Sequence, residues 1–307
     1  MKYLVIINPI SGRGFAGKHI PQIESLLKSH NLDYDLVLTE RPWHAAELAE
    51  KAARDRKYDV IVTASGDGTA NETMNGLMKA REAGFNHTAM ALLPVGTGND
   101  FAYGMGVRGT LEENIALLAK DSRKWMDIGK VSGGEYPDGR FFGNGVGVGF
   151  DAYVGFVAAN IRWTRGLLAY LIAALETIFV YFQAPTVRIE YDEQCVEQAA
   201  LMVSIMNGQR MGGGFFMAPD GQPFDNTFDL CIAGAPGKFR ILQLLPTFMN
   251  GTQATQPEIK MARARKVTVT ALKGTLPAHC DGETLCKEGQ SLSMELVPHA
   301  LEFITAL

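Results

Sequence analysis

Val60-Ile61-Val62-Thr63-Ala64-Ser65-Gly66-Asp67-Gly68-Thr69-Ala70-Asn71-Glu72-Thr73-Met74 reads as a buried strand, a glycine turn and the first turns of a helix. Val60–Ala64 is an apolar, β-branched run, whereas Ala70, Met74, Leu77 and Met78 recur at helical spacing. Strand, glycine turn and helix in that order form the repeating unit of a parallel α/β layer. The glycines let backbone N–H groups close in on phosphate oxygens, and the helix amino terminus adds a partial positive charge. Asp67 sharpens the reading. A carboxylate in a phosphate cradle repels its ligand unless a divalent cation bridges the two, so the loop suggests a magnesium nucleotide. A Thr-x-x-Glu capping box from Thr69 to Glu72 accounts for the same residues without any ligand.

The pattern repeats on both sides. Strands are expected at Tyr3–Ile7, Tyr34–Leu38 and Ala89–Leu93, with Ala45, Leu48, Ala49, Ala52 and Ala53 on one helical face between them. The strand before residue 94 runs into Pro94-Val95-Gly96-Thr97-Gly98-Asn99-Asp100, a second glycine turn with its own carboxylate. Asn99 or Asp100 capping the next helix is the plainer account of that turn. The first strand leads into Asn8-Pro9-Ile10-Ser11-Gly12-Arg13-Gly14-Phe15-Ala16-Gly17-Lys18-His19, which nearly spells a Walker A loop. It fails at His19, where that motif needs a hydroxyl on magnesium. Arg13 remains suited to neutralising phosphate.

Beyond residue 130 the period becomes two, with alternation at Val187/Ile189/Tyr191, Leu201/Val203/Ile205, Leu230/Ile232, Val267/Val269 and Leu292/Met294/Leu296. The second half is therefore mostly β. Ile161–Phe182 stands apart as helical and apolar on more than one side, either buried or facing lipid with Arg162, Trp163 and Arg165 at the headgroup level. Its apolar run from Leu167 is broken by Glu176 and falls short of the ~20 residues a spanning helix needs. Glycines at 143, 145, 147 and 149 weaken a strand unless a ligand or a packed seam approaches it closely.

A formal net charge of -4 argues against a polyanion partner, so nucleic acid is excluded as a first expectation. Cys195, Cys231, Cys280 and Cys286 lack metal-ligand spacing, and because the sequence runs straight into a strand-like Tyr3–Ile7 no signal peptide is expected. The expected location is cytoplasmic, with peripheral attachment to the inner face of the membrane as a further expectation.

Asn8-Pro9 with Ser11-Gly12, Gly66-Asp67-Gly68-Thr69 with Asn71-Glu72, and Pro94 with Gly96-Thr97 and Asn99-Asp100 resemble the diacylglycerol, sphingosine and ceramide kinase family and its bacterial lipid-kinase branch. The resemblance continues through Asn207-Gly208, Gly212-Gly213-Gly214, Ala218-Pro219 and Asp281-Gly282-Glu283. It implies a phosphofructokinase-like three-layer α/β nucleotide domain over residues 1–128, then a β-sandwich lipid domain over 129–297, with the active site in the cleft between them. Residues 298–307 would form a tail packing back on the first domain. It also implies transfer of the γ-phosphoryl of Mg-ATP to a lipid hydroxyl, with diacylglycerol giving phosphatidic acid.

Carried across by position, the resemblance assigns Asn8, Arg13, Thr39, Ser65, Gly66, Asp67, Gly68, Thr69, Ala70, Asn71, Glu72 and Thr97 to the nucleotide. Asp67, Asp100 and Asp127 become catalytic carboxylates, Asp127 at a position that helps hold the magnesium network, and Glu283 becomes the general base. A second, structural magnesium would rest on Gln222, Asp225 and Thr227, although Asn226 stands where glycine is usual. Ser65 replaces the first of two glycines common in the diacylglycerol kinases. The partners implied are a nucleotide triphosphate and a lipid at a membrane surface, and a homodimer stays open. An NAD-kinase-like enzyme on a soluble substrate and a non-catalytic lipid- or nucleotide-sensing module are the alternatives.

Overall fold

The computed structural model describes residues 1–161, 163–164, 166–181 and 184–307. Arg162, Arg165 and Phe182, named above for the apolar segment, lie outside the described residues. The chain divides into two compact units, Met1–Ile128 with Pro298–Leu307, and Gly129–Val297.

The first unit alternates strand and helix: β1 (Lys2–Ile7), α1 (Ser11–Ser29), β2 (Asp33–Leu38), α2 (His44–Arg54), β3 (Val60–Ser65), α3 (Asp67–Glu82), β4 (Ala89–Pro94), α4 (Asp100–Gly104), α5 (Leu111–Lys120) and the start of β5 (Arg123–Gly133). Its strands lie in the order β2-β1-β3-β4, all parallel. Both faces of β3 are buried, which is why its sequence is a continuous apolar run rather than an alternation. Tyr3, Val5 and Ile7 share one core with Ala16, Ile23 and Leu27 of α1 and Ile115 and Leu118 of α5. Against each other, α2 and α3 pack so closely that a Cβ on Gly76 would fall 2.1 Å from the Ala46 carbonyl oxygen.

Ten residues from the chain's other end complete this unit. Phe303 pairs with Met90 of β4 in parallel register, its ring 5.9 Å from that of Phe101. Arg123 bridges to Glu302, and Thr305 Oγ1 donates to the Met105 carbonyl at 2.6 Å.

The second unit is an antiparallel sandwich. It contains β6 (Tyr136–Phe142), β7 (Gly145–Gly149), α6 (Phe150–Ala158), α7 (Leu167–Glu176), β8 (Thr186–Tyr191), β9 (Gln194–Met206), β10 (Arg210–Met211), β11 (Phe215–Phe216), β12 (Phe228–Gly234), α8 (Lys238–Asn250), β13 (Ile259–Ala264), β14 (Lys266–Lys273), β15 (Leu276–Cys280), β16 (Glu283–Gly289) and the first half of β17 (Ser291–Ile304), whose second half belongs to the first unit. The long β9 forms a corner: residues 194–199 pair with β8, and residues 200–206 pair with β7 and β12. Val203 and Ile205 point into the sandwich core, while Leu201, Met202 and Met206 join a second core with α6, α7 and α8. The simple alternation read at Leu201/Val203/Ile205 therefore splits between two cores, because a helical layer covers the outer face of β9.

The helix expected over Ile161–Phe182 is shorter. Among the described residues of that range only Leu167–Glu176 is α-helical, and Thr177–Tyr181 forms a single π-helical turn. Thr177 Oγ1 donates back to the Ala173 carbonyl at 2.7 Å, a bond that competes with the regular ladder. Ala169, Ala173, Ala174 and Ile178 face inward, whereas Leu168, Leu175, Phe179 and Val180 are exposed. Among the described residues no helix is long and apolar enough to cross a membrane.

Candidate active site

The loops after β1, β3 and β4 meet at the carboxyl ends of those strands, where open α/β sheets bind ligands. Ser11 Oγ accepts the Gly66 N–H at 3.0 Å, and Asn8 Nδ2 donates to Thr69 Oγ1 at 3.0 Å, tying the first loop to the second. The second and third loops touch backbone to backbone, since a Cβ on Gly96 would lie 2.3 Å from Gly66 Cα. These two glycines thus serve loop-to-loop packing as well as any phosphate approach. Gly96→Ala is expected to cost about 1–3 kcal/mol by overpacking, with weaker nucleotide binding, as read by thermal melts with and without Mg-ATP.

Helix α3 starts at Asp67 with Gly66 as its N-cap and no side-chain cap bond. Thr69 consequently sits inside the first turn, and the Thr69–Glu72 capping box does not form. The shift follows from Ser65 and Gly66 staying extended up to the helix start, with Asn8 taking the Thr69 hydroxyl. Ala70 and Asn71 are buried, and Asn71 accepts from Asn75 within the helix. Asn99, the N-cap of α4, turns its side chain back on Gly96 instead of capping, its Oδ1 accepting the Gly96 N–H at 3.0 Å. Thr39 lies just past β2, its N–H bonded to the Ile7 carbonyl. Arg13 is exposed in a left-handed turn with Gly12 and Gly14.

The carboxylates converge as well. A Cβ on Gly98 would stand 2.9 Å from Asp67 Oδ2 and 3.7 Å from Asp100 Oδ2, so both acids flank one glycine beside the α3 amino terminus. Asp67 Oδ1 accepts the Phe101 N–H at 2.9 Å, which ties α3 to α4. Two acids beside a helix amino end suit a divalent cation carrying a polyphosphate. Asp127, fully buried in β5, accepts the His299 N–H at 2.9 Å.

In the second unit Glu283 is exposed at the first position of β16, immediately after a two-residue turn and paired with Cys280. Around that turn, Asn207 Nδ2 donates to the Gly143 carbonyl at 2.9 Å, and the Asn144 carbonyl accepts from Asn207 and Gly208.

A family profile described as "Diacylglycerol kinase catalytic domain" matches residues 2–131, and one described as "YegS C-terminal NAD kinase beta sandwich-like domain" matches residues 144–305, more than half of the chain. The chain belongs to the bacterial diacylglycerol kinase family of lipid kinases. It is 27% identical over 281 residues to a diacylglycerol kinase of Bacillus subtilis (strain 168), covering 91% of this chain and 88% of that one. To a diacylglycerol kinase of Mycobacterium tuberculosis (strain ATCC 25618 / H37Rv) it is 26% identical over 305 residues, covering 99% and 94%. A crystal structure of a diacylglycerol kinase from Bacillus anthracis str. Sterne shares the fold, with a TM-score of 0.73 at 22% identity over 99% of this chain and 96% of that one. The fold is thus an α/β domain with a carboxyl-terminal β-sandwich, and the lipid kinase is an ATP-dependent enzyme.

At the loop read as a second magnesium site of this lipid kinase, Asn226 adopts the left-handed conformation, φ 63°. Strand register sets Arg263 opposite Asp229, and its guanidinium hydrogen-bonds Asp225 Oδ2. Burial pushes the Asp229 carboxyl up to about 6, with Arg263 lowering it and Asp225 and Asp220 raising it. Thr227 Oγ1 lies within hydrogen-bond reach of the Phe228 and Ala264 carbonyls. The guanidinium answers one oxygen of Asp225, while Asp225 Oδ1 and Asp229 Oδ2 are buried without a hydrogen-bond partner among the described residues, so carboxylate oxygens remain at this loop that a cation could use.

The glycines of β7 have a protein neighbour. A Cβ on Gly147 would meet Asp151 Oδ2 at 2.3 Å and His279 Nε2 at 2.5 Å. Asp151 is buried, accepts from Ser204 Oγ at 3.0 Å, and is pushed above the usual carboxylate range by burial, with His279 opposing. Sequence reasoning passed over Asp151 and His279, since neither lies in a recognisable motif.

Proposed function

We propose that this kinase phosphorylates diacylglycerol at a membrane surface to give phosphatidic acid. The observation that supports it most is the convergence of Asp67 and Asp100 on Gly98 at the amino terminus of α3. In this reading Asn8, Arg13, Thr39, Thr97 and the Ser65–Glu72 segment bind ATP. Magnesium between Asp67 and Asp100 would offset the phosphate charge, whereas Asp127, buried on the His299 N–H, forms no three-acid group with them among the described residues. The acceptor oxygen attacks the γ-phosphorus, the bond to the β-bridging oxygen breaks, and the hydroxyl proton passes to the Glu283 carboxylate. ADP and the lipid phosphate leave.

The lipid side is supported by the second unit's apolar surface. Trp163, Phe179, Val180 and Phe239 are 74%, 53%, 65% and 80% exposed, and Lys238 Nζ donates to the Phe179 carbonyl at 3.0 Å, joining the start of α8 to the π-helical turn. Exposed aromatic and aliphatic side chains beside a lysine suit an interfacial membrane contact.

The test is transfer of labelled γ-phosphate from Mg-ATP to diacylglycerol, a sphingoid base, ceramide, undecaprenol or NAD in mixed micelles. Product on diacylglycerol is expected, and product on another acceptor alone would overturn the substrate assignment. In parallel, Phe179→Asp and Phe239→Asp should each weaken sedimentation with anionic vesicles about tenfold while leaving micellar turnover intact. Unchanged vesicle binding would overturn the membrane contact.

A further inference from the structure

We infer that Asp281 is a positioning residue that aims Glu283 by clamping three backbone N–H groups of the Gly143–Gly145 segment; the inference rests on the assignment of Glu283 as the base. Asp281 and Gly282 have φ values of 48° and 86°, so the β15–β16 hairpin turns through two left-handed residues, the pattern of a type I′ turn. Residues at such a tip normally face solvent, yet Asp281 is only 6% exposed. Its Oδ2 accepts the Gly143 N–H at 2.9 Å, and its Oδ1 accepts those of Asn144 and Gly145 at 3.0 and 2.8 Å. Its own N–H returns to the Gly145 carbonyl at 3.0 Å. Three charge-assisted bonds in a buried setting are far more than a turn requires, and each is stronger than its neutral counterpart.

The clamped segment is itself fixed. Asn144 Nδ2 donates to the Arg210 carbonyl at 2.9 Å, in addition to the Asn207 and Gly208 bonds described above. A carboxylate two residues from Glu283 thus ties an exposed hairpin tip to a strand start braced from two sides. A general base must lie within hydrogen-bond reach of its proton, and a displacement near 1 Å can cost ~10²-fold in rate. The β15–β7 ladder holds the hairpin as far as Cys280, and the Asp281 carboxylate extends that hold onto the turn that carries Glu283.

Asp281→Asn separates clamp from turn, because Asn-Gly is itself a preferred type I′ pair. The amide can still accept through one oxygen, but its NH2 must then face a backbone N–H. Wild type, Asp281→Asn, Glu283→Gln and the double variant would be compared with Mg-ATP and diacylglycerol micelles, alongside amide exchange at residues 143–145. Expected are a ten- to hundredfold fall in kcat for Asp281→Asn with KM for Mg-ATP within twofold, and faster exchange at those amides. The double variant should be no slower than Glu283→Gln alone. Wild-type kcat in Asp281→Asn beside an inactive Glu283→Gln would overturn the clamp and leave the base assignment standing, as would strictly additive losses in the double variant. Wild-type turnover in Glu283→Gln would overturn the base assignment itself, whatever Asp281→Asn does.

Discussion

Asp67→Asn is expected to lower kcat by about 10²–10³-fold or more, the scale on which single electrostatic contacts to a transition state act. The substitution is nearly isosteric. Its remaining oxygen can keep the Phe101 N–H bond, so the tie between α3 and α4 survives while the charge is lost. In the proposed site Asp100, on the other side of Gly98, would then be left to hold the magnesium alone. The apparent magnesium requirement should rise together with the fall in kcat, and the melting temperature should stay within a few degrees of wild type. Magnesium titrations of activity at saturating ATP check this. Near-normal turnover at ordinary magnesium would show that Asp67 serves only to join the two helices.

The second large effect lies in stability and starts far along the chain from the glycine loops. Phe303 is fully buried, pairs with Met90 and packs on Phe101. Phe303→Ala removes a ring from that core, and such truncations cost about 3–5 kcal/mol. Urea unfolding should show the first unit melting at lower denaturant, with the second unit's transition in place. Function should suffer as well, because Phe101 follows Asp100 directly and gives its N–H to Asp67. Softening beneath Phe101 therefore reaches both carboxylates, and ATP binding should weaken before the fold is lost. A variant with an unshifted midpoint would mean that the carboxyl-terminal strand contributes little to this core.

The parallel layer was legible in the chain because its signals are local. Val60–Ser65 is buried on both faces, so every position is apolar or small, and the helical face at Ala70, Met74, Leu77 and Met78 is buried as its spacing requires. The strands at Val187/Ile189/Tyr191 and Val267/Val269 were legible for the same reason: one face is wet, so the period is two. The carboxylates of the glycine loops announced themselves by sitting where a phosphate ligand would repel them.

Long-range placement was not legible, since it depends on partners that no local pattern names. Nothing around Gly66 or Gly96 says that the two backbones touch, because a glycine looks the same whether it faces a phosphate or another loop. Nothing in Asp281-Gly282 distinguishes an ordinary turn from a buried clamp; the difference is made by the N–H groups of residues 143–145, more than a hundred positions earlier. Likewise Leu201–Met206 spells one apolar strand, and only a helical layer against its outer face sends Met202 and Met206 to a different core from Val203 and Ile205. By itself, then, the sequence determined the elements, their order and the chemistry of the loops, because hydrophobic periodicity and turn residues act over a few positions. Tertiary structure alone decided which loops press together, that Asp281 is buried on three backbone N–H groups, and which core the last ten residues join, because those outcomes depend on burial and hydrogen-bond partners distant in the chain.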